Sequence, residues 1–188
     1  MIRPELFHNI LSTITQDPNR EGLKETPARM AKAYGHWFGG YDSDPGTVLK
    51  SFEDGGETYN QLVIVCDIPI YSHCEHHLAP FFGVAHIGYI PNKRIVGLSK
   101  LARVADLYAR RLQVQERLTD QIAQCIQSHL QPQGVAVMLN CRHLCMESRG
   151  VQCSGTSTLT SSLKGVLMDD PAARAEFFSL VKMRSSKL

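Results

Sequence analysis

The sequence predicts an α+β fold with a largely antiparallel sheet, and three observations predict it. The first forty residues carry two apolar stripes at helical spacing. From Gln61 to Ile90 the pattern changes to short runs rich in β-branched residues. A pair of long amphipathic stripes follows, and strand-like runs then return before a closing helical segment. Helices and strands thus come in blocks, whereas a parallel α/β sheet alternates them one for one.

Leu6, Ile10, Leu11 and Ile14 fall at helical spacing, so a first amphipathic helix covers residues 5–15 and Asp17-Pro18-Asn19 breaks it. Thr26 followed by Pro27 reads as an N-cap and first-turn proline, opening a second helix through Trp37 that Gly39-Gly40 closes. The stretch that follows, to Gly55-Gly56, reads as loop. Leu62-Val63-Ile64-Val65, Ile68-Pro69-Ile70 and Val84 to Ile90 read as strands. Between Ser99 and Leu112, Leu101, Ala102, Ala105, Tyr108, Ala109 and Leu112 share one helical stripe. A further helix from Gln115 to Leu130 turns Leu118, Ile122, Cys125 and Ile126 inward and stops at Gln131-Pro132-Gln133-Gly134. Val135 to Leu139 is a strand that delivers His143 and Cys145 at its far end. Thr156 to Leu163 is a last strand, and Asp170-Pro171 opens a closing helix through Leu180.

A chain of 188 residues suits one domain and buries a core without disulfide staples. Within it, residues 1–58 are expected to form a helical region and loop, and residues 59–188 the catalytic domain. A charged content of 20% and a net charge of +2 give no general pull toward nucleic acid or membrane, and neither is expected as a partner. The charge is uneven, however: Lys93, Arg94, Lys100, Arg103, Arg110, Arg111 and Arg117 stand against only Asp106 and Glu116. That excess is either a solvated face or a seat for a polyanionic small molecule, since no interleaved aromatic tract suggests RNA. The six cysteines do not form the dense framework of a secreted mini-protein, and Cys66 and Cys125 sit in apolar runs as small hydrophobes. Met1 to Glu5 lacks a signal-peptide apolar core and no run is long enough to cross a bilayer, so a reducing cytoplasm is expected. The terminal Ser186-Lys187-Leu188 has the form of a peroxisomal address, a three-residue match that arises easily by chance.

The chemistry concentrates in Cys74-Glu75-His76-His77 and, almost seventy residues later, His143-Leu144-Cys145. The spacing Cys74-x-x-His77 alone is a weak signal; the second His/Cys pair strengthens it. Two residues apart, His143 and Cys145 share one face of an extended strand. Two thiolates and an imidazole complete three corners of a zinc tetrahedron and leave the fourth for water, which separates a catalytic zinc from a structural one. Such a water is a usable nucleophile near neutral pH. Spacing does not choose between His76 and His77 as the ligand. Whichever is left over is, with His143, a proton carrier whose ordinary pKa lies near neutrality. His8, His36, His86 and His129 read as hydrogen-bonded surface histidines. The alternative from a different class is a zinc-stabilised binding module without catalysis.

The runs CEHH at 74–77, GYIPNKRIVGLSKLARVADLYARRLQVQERLT at 88–119 and HLCMESRG at 143–150 closely resemble GTP cyclohydrolase I. Thr26 to Lys32 is similar to that family's ETPxRxAK segment, and the likeness runs from about Glu21 to the C-terminus. QVQERLT together with CEHH is a highly specific combination. The resemblance implies the tunnelling fold, an antiparallel sheet backed by two helices, here with an N-terminal helical hairpin. It implies hydrolysis of GTP to 7,8-dihydroneopterin triphosphate and formate, with Zn2+ held by Cys74, His77 and Cys145. His76 and His143 then match the catalytic histidines, His76 giving a proton at guanine N7 and His143 assisting the later ribose opening and rearrangement.

Glu116 resembles the family's guanine reader, a carboxylate accepting two parallel N–H bonds that adenine cannot offer. Without the resemblance it reads equally as first-turn stabilisation of a helix dipole. Gln115 is implied to add a polar contact to the base. Ser99, Lys100 and Arg103 match phosphate and ribose contacts, with Ser99 counted among the catalytic positions. Arg29, Lys32 and Arg149 match further cationic positions, as a triphosphate with about four negative charges requires. Arg110, Arg111 and Arg117 are left as surface or interface charges.

Members of the family form decamers of two stacked pentamers with sites between subunits, so a homodecamer is implied. His73 departs from the small or apolar residue usual there; it is either innocuous or a titrating neighbour of the metal's water. Cys141 and Cys153 read as packing residues. A nitrile reductase of the same fold would want a nucleophilic cysteine without zinc, which the three-ligand set opposes.

Overall fold

The protein is described by a computed structural model covering residues 2–53, 56 and 58–185. The terminal Ser186-Lys187-Leu188 lies outside the described residues. Helices α1 (Pro4–Ile14) and α2 (Thr26–Trp37) form the expected hairpin, each with proline in its first turn. The Phe7 ring meets Tyr34 edge-on at 4.9 Å, which ties the two helices together. The stretch expected as loop contains two short 3-10 turns and a two-residue strand, β1 (Ser51–Phe52). A pairing this short leaves no periodicity to read.

The main sheet is built from β2 (Val63–Cys74) and β3 (Pro80–Ile90). The small strand β4 (Ile95–Val96) then pairs with β1. Helix α3 (Leu98–Ala109), strand β5 (Leu112–Gln113) and helix α4 (Gln115–Leu130) follow. Strand β6 (Gly134–His143) leads into the single turn α5 (Leu144–Glu147). Strand β7 (Thr158–Gly165), the turn α6 (Val166–Asp169) and helix α7 (Pro171–Ser185) complete the chain. The strand order is β5-β2-β3-β6-β7, antiparallel throughout except for β5, which lies parallel to β2. The two separate runs expected at 62–65 and 68–70 are one strand interrupted by a bulge between Val65 and Ile68, where Asp67 takes a φ of 57°.

Helices α3 and α4 cover one face of the sheet. Ile70, Ala85, Ile87, Leu101, Leu118, Ile122 and Leu139 meet there, fully buried. Helix α7 covers part of the other face, with Phe177 packed near Ala136 and Leu167. Gly88 makes that approach possible, since a Cβ there would lie 2.9 Å from a Phe177 ring carbon. Helices backing a largely antiparallel sheet, with an N-terminal helical hairpin, form the α+β architecture the resemblance implies. No helix among the described residues is long and apolar enough to cross a membrane.

Register decides what gathers at one end of this sheet. His73 pairs with Pro80, Cys74 with Gln113, and Phe81 with His143. The β2–β3 turn, the β5–α4 junction and the end of β6 therefore converge.

Candidate metal centre and the cleft around it

Strand β2 ends at Cys74 and the chain reverses at once. The Cys74 carbonyl accepts from Leu78 N–H at 2.8 Å and from His77 N–H at 3.3 Å, while Cys74 N–H donates to Ala79 at 2.9 Å. Leu78 takes a left-handed φ of 53° to complete the reversal, a strained conformation for a branched residue. One tight turn thereby carries both Cys74 and His77. Cys145 arrives differently from the expectation of an extended strand. Strand β6 stops at His143, and Cys145 lies inside the helical turn α5. It is that turn, not strand alternation, that brings the second sulfur to the first.

The ligand atoms of Cys74, His77 and Cys145 all lie within 4.8 Å of one another, and Cys74 Sγ is 3.7 Å from His77 Nδ1. Zinc bonds of about 2.3 Å to sulfur and about 2.1 Å to nitrogen give tetrahedron edges of about 3.6–3.8 Å, so the donor set fits zinc with little movement. Cys74 is buried, Cys145 half-buried and His77 exposed, which leaves one side open to the cleft. Burial pushes the Cys145 thiol up, and the neighbouring Cys74 pushes it further. Two sulfurs this close resist carrying two negative charges without a cation between them. Of the two histidines that spacing left open, His77 joins the cluster. The His76 ring stands nearly perpendicular to it at 6.2 Å and is largely exposed.

Beside the cluster opens a cleft of about 230 Å³ whose walls include Cys74, His76, Phe81, Gln115, Glu116, His143 and Cys145. His143 stacks on Phe81 with ring centres 4.7 Å apart and planes 12° off parallel. Its Nε2 lies 2.7 Å from Gln115 Oε1. The orientation of that amide is over-determined. Gln115 Nε2 donates to the Thr158 carbonyl at 2.9 Å, to Thr160 Oγ1 at 3.0 Å and toward the Leu139 carbonyl at 3.4 Å. The oxygen must then face the imidazole, so His143 Nε2 carries the hydrogen and Nδ1 keeps the lone pair in the neutral ring. Burial lowers the His143 pKa, partly opposed by the Glu116 charge. Gln115, expected at the base, instead has its side-chain amide committed to protein at both ends and is only 2% exposed.

Glu116 is exposed in the first turn of α4, on the cleft wall. Arg149 donates to His77 Nε2 at 2.8 Å, so this cation sits against the metal cluster. The other expected cations do not join them. Ser99, Lys100 and Arg103 occupy the first turns of α3, whereas the opposite end of that helix is the one fixed beside the metal strand, Ser72 Oγ donating to the Ala109 carbonyl at 2.7 Å. Along the helix axis Ser99 stands about 15 Å from Ala109 and Arg103 about 9 Å. Arg29, ion-paired with Glu25, and Lys32 are exposed on α2. None of these five lines the cleft.

Strand alternation points His73 away from Cys74. Its ring packs at 5.0 Å from Trp37 and 5.1 Å from Phe38, and burial lowers its pKa. Cys141 is buried, its thiol pushed up to about 12 by desolvation, but Cys153 is exposed and is no packing residue. His86 is also misplaced by the sequence reading: it is 3% exposed, its Nδ1 facing the Asp67 N–H at 3.4 Å. The bulge at Asp67, invisible in the residue pattern, turns that N–H toward the ring. Sequence reasoning missed Phe81 as the stacking platform and Glu75 as the partner of Arg117, whose guanidinium lies 2.7 Å from the carboxylate.

The sequence compares closely with known proteins. The model of the family "GTP cyclohydrolase I" matches residues 4–182. The chain is 54% identical over 176 residues to the GTP cyclohydrolase 1 of Nitrosospira multiformis, covering 94% of this chain and 92% of that one. It is 50% identical over 182 residues to the GTP cyclohydrolase 1 of Leptospira biflexa, covering 96% and 98%. The GTP cyclohydrolase 1 of Dictyostelium discoideum is 54% identical over 173 residues, covering 92% and 74%. With a fold and a three-ligand cluster that agree, the chain belongs to the GTP cyclohydrolase I family.

Proposed function

We propose that the cleft beside Cys74, His77 and Cys145 is where this enzyme converts GTP and water to 7,8-dihydroneopterin triphosphate and formate. The observation that carries the assignment of residues is the gathering of three ligand atoms within 4.8 Å beside a cleft walled by His76, His143 and Glu116. When bound, zinc supplies a water acidic enough to act as nucleophile near neutral pH. Glu116 accepts from guanine N1 and the exocyclic amine, which turns C8 toward the ligand cluster. His76 gives a proton at N7 as water adds at C8 and the imidazole ring opens. A second hydrolysis releases C8 as formate. His143, with its Nδ1 lone pair free, takes and returns protons during ribose opening and the Amadori rearrangement, and ring closure releases water. Gln115 acts through His143 by holding its ring and tautomer.

Arg149 meets the triphosphate on the ligand side, and Ser99, Lys100, Arg103, Arg29 and Lys32 meet it from a neighbouring subunit. The distance along α3 supports this sharing, because one chain does not bring those cations to its own cleft. A ring assembly, two stacked pentamers in the family pattern, is supported too by the outer edge of β7, which ends the sheet. Apart from Arg29 and Lys32, every residue given a role falls in 59–188, the segment we assign to catalysis. Metal-ligating thiols and a soluble nucleotide substrate support a cytoplasmic setting. The test is incubation with GTP while following formate and the pterin ultraviolet spectrum, with chelator and then with zinc restored. Formate that is lost on chelation and returns with zinc is expected; a metal already capped by a fourth side chain, with no formate, would overturn the assignment.

A further inference from the structure

We infer that Glu75 and Arg117 are a positioning pair that locks the metal-ligand turn to the first turn of α4, fixing the distance between the ligand cluster and Glu116. Glu75 lies between Cys74 and the two histidines, and Arg117 directly follows Glu116. The tie therefore spans the two halves of the cleft, and it rests on the functional reading above.

Its geometry is that of a built clamp. Both guanidinium NH groups of Arg117 reach one carboxylate oxygen of Glu75, at 2.8 and 2.7 Å to Oε2. The other oxygen lies 3.7 Å from His76 Nε2. The backbone of Glu75 is fastened to the same segment, its N–H donating to the Gln113 carbonyl at 3.0 Å. Residue 75 is thus held twice to the five-residue stretch 113–117, once by main chain and once by side chain. Arginine in a helix's first turn opposes the helix dipole, so its place needs a compensating anion, and Glu75 supplies it.

Magnitudes separate a positioning role from a stabilising one. The side chains are 42% and 31% exposed, and an exposed pair of this kind contributes little to folding. Displacing a reacting group by about 1 Å, in contrast, costs about a hundredfold in rate. Breaking the pair should therefore show in the site far more than in the melting temperature.

The experiment is a charge-swap cycle on the full-length oligomer: Glu75→Arg, Arg117→Glu and the double variant. Zinc affinity is read by competition with a chromophoric chelator, and KM and kcat for GTP are read separately. Each single variant is expected to weaken zinc about tenfold, the scale for residues that support ligands, and to raise the KM for GTP. The melting temperature should move by only about 2 °C. Because Glu75→Arg adds positive charge near the metal in any context, the double variant decides. Restoration of zinc affinity and KM to within about threefold of the parent is expected. Losses that simply add in the double variant, or singles with unchanged zinc affinity and KM, would overturn the pair. Should the parent bind zinc yet release no formate, the functional reading fails, while the zinc arm still decides whether the clamp exists.

Discussion

Gln115 and His143 form a directed pair: the imidazole Nε2–H donates to the amide oxygen at 2.7 Å, and three acceptors on the amide nitrogen prevent the amide from flipping. Phe81 stacked on one face leaves the ring little freedom to rotate. A proton carrier held in one tautomer presents its lone pair without reorganising, which is the geometric condition for general acid–base work.

Gln115→Leu should therefore lower kcat by about a hundredfold, the low end for losing a positioned acid–base group, with a smaller change in KM. Zinc content should stay at the parental level, since no ligand is touched. Nitrogen NMR of the metal-loaded protein provides the independent check: the His143 ring should be protonated at Nε2 in the parent and a tautomer mixture in the variant. A unique Nε2–H tautomer persisting in Gln115→Leu would show that the amide does not set it.

The ligand cluster separates metal loss from catalytic loss. Cys145→Ala should abolish both zinc binding and formate release, because two remaining protein ligands hold zinc poorly. His76→Ala and His143→Ala should abolish formate release while keeping about one zinc per chain. Metal analysis beside a formate assay distinguishes the two classes, and zinc loss in His76→Ala would make that residue a ligand.

Most of the fold was legible because long elements carry long patterns. Helix α4 runs from Gln115 to Leu130, the bounds expected of it. The apolar pattern marks only parts of β2 and β6: Asp67 breaks it at the bulge, and Asn140 and Arg142 break it where the ladder continues through them. The two-residue strands and the turn at Cys145 were not legible, being shorter than any period. The chemistry was readable as residue types, but spacing could not separate His76 from His77, nor show Gln115 facing His143. Those are facts of register, set by Phe81 opposite His143 and Cys74 opposite Gln113.

Glu116→Gln keeps the shape of the side chain but swaps an acceptor for a donor at one position. Discrimination of this kind reaches about 10⁴ where a buried group is left unpaired; Glu116 is exposed in the free chain, so a loss of about a hundredfold in kcat/KM is expected. Zinc content should not change. Parental turnover of GTP by this variant would remove Glu116 from the site.

His86 predicts how stability depends on pH. Burial lowers its pKa in the folded chain, with the Asp67 charge pulling the other way. The unfolded chain protonates at about pH 6.5, where the folded chain still resists the proton. The stabilisation is therefore complete above that pH and is lost as pH falls through it toward the folded pKa. His86→Gln keeps an acceptor for the Asp67 N–H and removes the titration. Urea midpoints at neutral and mildly acidic pH should fall less steeply in the variant, by at most about 1.4 kcal/mol per pH unit. Parallel falls would mean that His86 binds its proton equally in the folded and unfolded chain.

The separation of α3's cations from the cleft makes a prediction about pairs of inactive chains. Arg103→Ala removes a cation about 9 Å along the helix from the end beside the metal strand, and His143→Ala removes a group inside the cleft. If each site draws its cleft from one subunit and α3 from the next, a mixed oligomer contains sites lacking neither group. Equal co-expression with random assembly makes about a quarter of the sites intact, because each subunit must be of the right kind independently. Co-expressed chains should thus regain about a quarter of parental activity, while the separately purified variants stay inactive. If both groups served a site within one chain, every site in the mixture would lack one of them and no activity would return.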